Sequence, residues 1–289
     1  MTRKPAVAGT FYDADKNDLI NSVEQSFLGK LGPGRLPVVK ESRQGNVLGL
    51  VCPHAGYVYS GSAAAYAYDV LASDGLPDTI VLLGPNHYGT GASVALSMET
   101  QWQTPLGTIY VDTDTASAIL QRSEFVQQDD IPHIKEHSLE VQLPFIQYIG
   151  GDRIKIVPIA IAHLDLDDSL KLCSDLGSAI AEALDGKSAV IIASTDFTHY
   201  ESKERATNID AEAMEKIINL DPVGLLHLVH EESISMCGAI GTAVMIEACK
   251  ALGAKHARKL TYYTSGDVTG DVGEVVGYGA LSVEKLSSL

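Results

Sequence analysis

The sequence predicts an α/β fold: a single-domain α/β/α sandwich with a mostly parallel central sheet and helices on both faces. Three observations carry that prediction. Short runs of Val, Ile and Leu recur that are too apolar to alternate, as strands buried on both faces require. Helical stretches separate these runs with no shift in composition. Several runs also end in a polar turn with a histidine: VLGLVCPHAGY at His54, IVLLGPNHYG at His87, IKIVPIAIAH at His163 and AVIIASTDFTHY at His199. Ligands of open α/β sheets bind outside the carboxyl ends of the strands, so imidazoles from distant segments should gather at one sheet edge.

Taken in order, residues 13–28 read as a helix capped by Asp13 or Asp15, with Leu19, Ile20, Val23 and Phe27 on its apolar face. GKLGPGRLP follows as a surface loop. A strand over 46–52 leads to an alanine-rich helix from Ser62 to about Leu71, then a strand over 79–84. Extended pieces near 92–97 and 107–111 suggest a hairpin-type insertion. Helices are expected near 113–122 and 138–149, with Pro144 ending the first turns of the second or kinking it. A strand over 154–161, a helix over 167–184 and a strand over 188–194 continue the alternation. Three helices near 203–219, 222–230 and 239–252 precede extended segments at 258–264 and 274–283.

Composition narrows the function. The chain has 289 residues, 45% of them hydrophobic and 20% charged, as in ordinary globular proteins. A formal charge of −16 with no basic block argues against nucleic-acid or anionic-membrane partners. No apolar run reaches the length of a membrane span, and the basic N-terminal residues lead into no apolar core, so no signal peptide is read. Cys52, Cys173, Cys237 and Cys249 lack CxxC spacing, and reduced thiols in a cytoplasm are expected.

The chemistry-bearing candidates lie in short motifs. His54 and His87 sit at strand–turn junctions, and neutral imidazole is the common ligand of Zn, Fe and Cu; each can equally cap a strand end. Cys237 precedes a helix expected from Ala239, where a thiol is acidified, although a small Cys packed beside Gly238 reads as well. The remaining cysteines read as core. Asp196 and His199 share STDFTHY, where the carboxylate can orient the ring or merely stabilise a turn. KEHSLEVQLPF holds Glu136, His137, Ser138 and Glu140, which fit a helix cap as readily as a site. The common nucleotide, hydrolase and zinc-protease signatures are absent, and GDVTGDVGE reads as a turn rather than an EF-hand loop.

PHAGYVYSG, GPNHYG, EHSLEVQLPF, STDFTHY and MCGAIGT occur in the order found in the Memo-like family, whose bacterial and archaeal members are labelled AmmeMemoRadiSam system protein B. The opening AVAGTFYDAD and closing GEVVGYGALSV also resemble that family, so the resemblance spans residues 1–289 as one domain. The family is similar in fold to class III extradiol dioxygenases, which hold non-haem iron with two His and one Glu. The resemblance implies His54 and His87 as paired metal ligands and Cys237 in the third place, where the dioxygenases keep a carboxylate. It places His199 as acid/base with Asp196 close by, and His137 joins them as a catalytic candidate. A thiolate makes a softer site, suited to Cu(I), Zn or a redox-active Fe centre, so ring cleavage does not follow from the fold.

Three functions compete at this level. The first is a metal-dependent redox enzyme, using one Fe(II) or Cu ion (or Zn) on an unidentified small molecule. The second, also implied by the resemblance, is an adaptor module binding a phosphopeptide or partner protein in the same cleft. The third is hydrolysis with Cys237 as nucleophile and His199 as base. The family label further implies a functional link to radical-SAM and AMMECR-type proteins.

Overall fold

The computed structural model describes residues 2–286; Met1 and residues 287–289 lie outside the described residues. The chain opens on β1 (Thr2–Arg3) and α1 (Lys16–Leu28), then β2 (Val47–Cys52), α2 (Tyr57–Asp74) and β3 (Thr79–Pro85). An insertion follows: β4 (Val94–Leu96), β5 (Gln101–Thr104), β6 (Gly107–Val111), α3 (Thr113–Arg122) and β7 (Gln127–Gln128). A 3-10 turn at Glu140–Gln142 runs into α4 (Leu143–Gly150), followed by β8 (Lys155–Ile161), α5 (Leu166–Leu184), β9 (Ala189–Ser194) and β10 (His199–Glu201). The C-terminal third holds α6 (Lys203–Ile218), α7 (Pro222–Glu231), α8 (Ala239–Ala251), β11 (His256–Thr264), α9 (Ser265–Thr269) and β12 (Val275–Glu284).

The main path of the sheet runs β1-β5-β6-β8-β3-β9-β2-β12-β10. Its centre, β6-β8-β3-β9-β2, is parallel throughout. Antiparallel β12 closes one flank and carries β11 and β10 beside it. Alternate residues of each central strand enter opposite cores. Val81, Leu83, Ile159 and Ile191 pack on one face, which α3, α5, α7 and α8 cover. Ile80, Leu82, Ile156 and Ile192 pack on the other, beneath α1, α2 and α4. Continuous apolar runs are thus what a twice-covered sheet needs.

The predicted elements appear with three physical differences. The hairpin pairs β5 with β6, whereas β4 pairs with β8 and β7. Strand β5 reads QWQT, and only its inward Trp102 and Thr104 are buried, so it carries no apolar run. Helix α2 begins at Tyr57, ahead of the alanine run. Pro144 falls in the first turn of α4, where its missing N–H costs nothing, so it starts that helix rather than kinking it. Asp15 is the cap of α1, accepting from the N–H groups of Asn17 and Asp18. No helix among the described residues is long and apolar enough to cross a membrane.

Candidate metal centre

Adjacent strands β3, β9 and β2 end at one edge, and the residues just past those ends converge. His54 follows β2, His87 follows β3, and Ser194 closes β9 with Asp196 and His199 beyond it. His137 arrives from the loop before the 3-10 turn. Nitrogens of His54, His87 and His137 all lie within 4.8 Å of one another. The rings of His87 and His137 stack at 4.7 Å with a 12° interplanar angle, and His54 stands edge-on to both at 5.3 and 5.4 Å.

Hydrogen bonds decide which nitrogen of the His54 and His87 rings is free. Gln142 Nε2 donates to the Pro53 carbonyl at 2.9 Å and to Ser194 Oγ at 2.8 Å. The Ser194 hydroxyl spends its one proton on the Ser138 carbonyl at 2.6 Å. Its 3.0 Å contact with His54 Nδ1 must therefore be donated by the ring, which leaves the Nε2 lone pair exposed to the cluster. Glu136 does the same for His87 and lies beside His137. Its Oε1 accepts from His87 Nδ1 at 2.9 Å and lies 3.3 Å from His137 Nδ1. A carboxylate behind a histidine is the usual support of a metal ligand, fixing tautomer and orientation. The three imidazoles fit a transition-metal ion.

Charge agrees with geometry. Burial pushes the imidazolium form of His54 well below its ordinary range, and the neighbouring His137 and His87 push it further. Burial likewise lowers His137 to about 4. Burial opposes the Glu136 charge, but bonds from His87 and the Ser138 N–H outweigh it and hold the carboxyl at about 2. The rings of His54 and His137 are thus neutral at pH 7, and protons do not compete for their lone pairs.

The other candidates fall around this group. Cys237 is half-buried, its Sγ 3.3 Å from His54 Nε2 and accepting from the Asp196 N–H at 3.3 Å. The thiol was expected to be acidified by its helix. Instead burial, then the Asp196 charge, push it up to about 12. Asp196 does not hold the His199 ring, one of the roles read for it. It is buried, accepts the His54 backbone N–H at 2.9 Å, and is pushed up to about 6 by burial. The ring of His199 is held instead by the Ser235 carbonyl, which accepts from Nδ1 at 2.8 Å. His163, past β8, lines a cavity beside the centre. Ser138 does not cap α4; its hydroxyl donates to the Pro85 carbonyl. Of three non-glycine residues with left-handed φ among those described, Tyr200 (61°) and Ser233 (51°) flank the His199–Ser235 contact. Such strain collects at functional sites.

Sequence reasoning missed Ser194, Gln142 and Arg3. Arg3 donates to the carbonyls of His133 at 2.9 Å and Glu136 at 2.7 Å, and pairs with the buried Glu140. Glu140 also accepts from the N–H groups of Ala6 and Val7 and from the Tyr12 hydroxyl. The N-terminal segment is thereby bolted to the loop that carries Glu136 and His137.

A family model described as Memo-like protein matches residues 3–282. The chain belongs to that family. It is 45% identical over 286 residues to a MEMO1 family protein of Methanopyrus kandleri, covering 97% of this chain and 98% of the relative. A MEMO1 family protein of Methanothermobacter thermautotrophicus is 43% identical over 284 residues, covering 98% of this chain and all of the relative. Among solved structures, an uncharacterised protein of Escherichia coli has a similar fold, with TM-score 0.53 and 13% identity over 81% of this chain and 99% of that one. That likeness concerns the fold alone.

Two results should follow from the Memo-like site's surroundings. A Cβ on Gly238 would lie 2.5 Å from the Ser194 carbonyl oxygen and 2.6 Å from Thr195 Cβ. Gly238→Ala should therefore lower unfolding stability by about 1–3 kcal/mol, and an unchanged denaturant midpoint would contradict this close approach. The second result concerns His133, buried against Trp102 and lowered to about 4 by burial. The unfolded ring, with its ordinary value of 6.5, binds a proton between about pH 6.5 and 4, while the folded ring does not. Stability should rise with pH across that window. His133→Gln, which keeps a donor for the Ala95 carbonyl, should lose about 2 kcal/mol less than the parent between pH 7 and pH 5. Parallel pH curves for the two proteins would refute this.

Proposed function

We propose that this protein is a metal-dependent redox enzyme acting on a small molecule, with one Fe(II) or Cu ion held by His54 and His87 and by His137 and Cys237 as further donors. The observation that carries the reading is the set of imidazoles: bonds to Ser194 and Glu136 occupy the Nδ1 protons of His54 and His87, and one nitrogen from each of the three rings lies within 4.8 Å of the others. Bound there, such an ion supplies one-electron chemistry and Lewis acidity. Cys237, protonated in the metal-free protein, would give up its proton on binding the ion, and its thiolate would soften the donor set toward Cu(I) or a redox-active iron. His199, with Nδ1–H spent on Ser235, offers Nε2 to take a proton from a substrate group. Asp196, pushed up to about 6, carries a proton in part of the population near neutral pH and is a second group able to deliver one.

The arrangement favours this reading over thiol hydrolysis. The Cys237 sulfur is bonded to His54 rather than to His199, and burial keeps it protonated at neutral pH. One observation favours the adaptor reading. Exposed Val58, Tyr59, Tyr88, Ile131, Ile134 and Tyr200 lie on the segments bearing His54, His87, His137 and His199, and such apolar rims suit a partner.

The redox reading is tested by loading the protein with Fe(II) under argon and adding nitric oxide. A high-spin iron nitrosyl signal in electron paramagnetic resonance, lost in His87→Ala, is expected. Uptake of Zn alone, with neither Fe(II) nor Cu(I) bound, would contradict it.

A further inference from the structure

We infer that the cavity beside the metal centre takes an uncharged, largely apolar small molecule whose single polar end points to His87 and Cys237. Only the placing of that polar end rests on the proposed metal site. The cavity holds about 590 Å³, within the range of small-molecule sites. His87 and Cys237 contribute to its lining, Ile161, Leu226, Val229 and Ile240 supply apolar walls, and exposed His163 and His230 also border it.

Charge selects the occupant. The chain carries 37 acidic and 21 basic residues, yet no Asp, Glu, Lys or Arg lines this cavity. An anion would find no Lys or Arg there and would face the field of a −16 protein. A cation would find no carboxylate, and an unpaired charge is costly to bury.

Three polar side chains of the lining, those of Asn86, Ser169 and Ser235, are also committed elsewhere. Asn86 donates to the Thr90 carbonyl and accepts from the Gly89 N–H. Ser169 Oγ donates to the Leu164 carbonyl, and Ser235 Oγ is bonded to the His199 backbone. Polar groups of a ligand would go unsatisfied against the Ile161, Leu226, Val229 and Ile240 walls, whereas an aromatic or branched alkyl body loses nothing there. Its one donor group is then best placed at the end where His87 and Cys237 stand.

The probe is 1-naphthol, with 1-naphthoate as its anionic counterpart, measured by calorimetry on metal-free protein and again after Zn(II) loading, which adds no redox chemistry. 1-Naphthol should bind the metal-free protein at least tenfold more tightly than 1-naphthoate. Val229→Trp and Ile240→Trp, both folded by circular dichroism and unchanged in metal content, should each weaken it at least tenfold. Zn(II) should tighten 1-naphthol several-fold in the parent and leave it unchanged in His54→Ala. Equal binding of the two probes, or binding untouched by both Trp substitutions, would overturn the inference. An effect of the walls without any effect of Zn(II) would overturn only the placing of the polar end. A parent that binds no metal at all yet keeps the probe pattern would sink the metal reading and leave the apolar cavity standing.

Discussion

Glu136→Gln should weaken metal binding by about 10- to 100-fold, the usual consequence of losing the carboxylate behind a ligating histidine. The size follows from the double duty of one oxygen. Oε1 accepts from His87 Nδ1 and lies within 3.3 Å of His137 Nδ1, so one side chain sets two rings. It accepts the backbone N–H groups of His137 and Ser138 as well, and Oε2 accepts that of His87. A neutral amide presents an oxygen on only one side and an NH2 on the other. Whichever way it lies, one of these donors meets another donor, and the charge that favoured Nδ1–H is gone. Competitive titration against a chelator reads the affinity, and Glu136→Asp separates length from charge by keeping the carboxylate. Unchanged affinity in Glu136→Gln, with the fold intact, would show that Glu136 does not orient the ligands.

Arg3→Ala should destabilise the protein by about 3–5 kcal/mol, the range for stripping one partner from a buried ion pair. Arg3 and Glu140 have side-chain exposures of 5% and 0%, so water cannot replace the lost guanidinium. The guanidinium also sits 4.4 Å over the Trp102 ring, and its loss frees the carbonyls of His133 and Glu136. Chemical denaturation measures the effect. Arg3→Ala with Glu140→Gln should recover part of the loss, because the uncompensated charge goes with it; a double substitution that falls by the sum of two full penalties would contradict the pairing. Looser metal binding in Arg3→Ala, beyond what the fraction unfolded explains, is the further sign that the N-terminal segment steadies the Glu136 loop.

The central strands and the edge at which the histidines gather were legible because each depends on local pattern. Runs such as Thr79–Pro85 are apolar at every position, and the turn that ends each run carries its histidine with it. The support of the site was not legible. Arg3 lies 133 residues from Glu136, and Ser194 lies 140 from His54, so no periodicity connects them. Glu136 was visible but ambiguous, since a carboxylate ahead of Ser138 looks like a cap, and it does accept that backbone N–H. His137 was read among the proton-handling residues; its ring instead stacks on His87 with a nitrogen in the ligand group. For Cys237, proximity to a helix start suggested an acidic thiol, but desolvation is the larger force at that position.

The central claim is that His54, His87 and His137 form one preset ligand group. It is tested most directly by elemental analysis of protein purified without oxygen or chelator, beside His54→Ala and His87→Ala. Close to one equivalent of Fe or Cu is expected in the parent and almost none in either variant, with all three proteins folded. A parent free of metal that also takes up none of Fe(II), Cu(I) or Zn(II) in titration, or variants that keep the parent's metal, would contradict it.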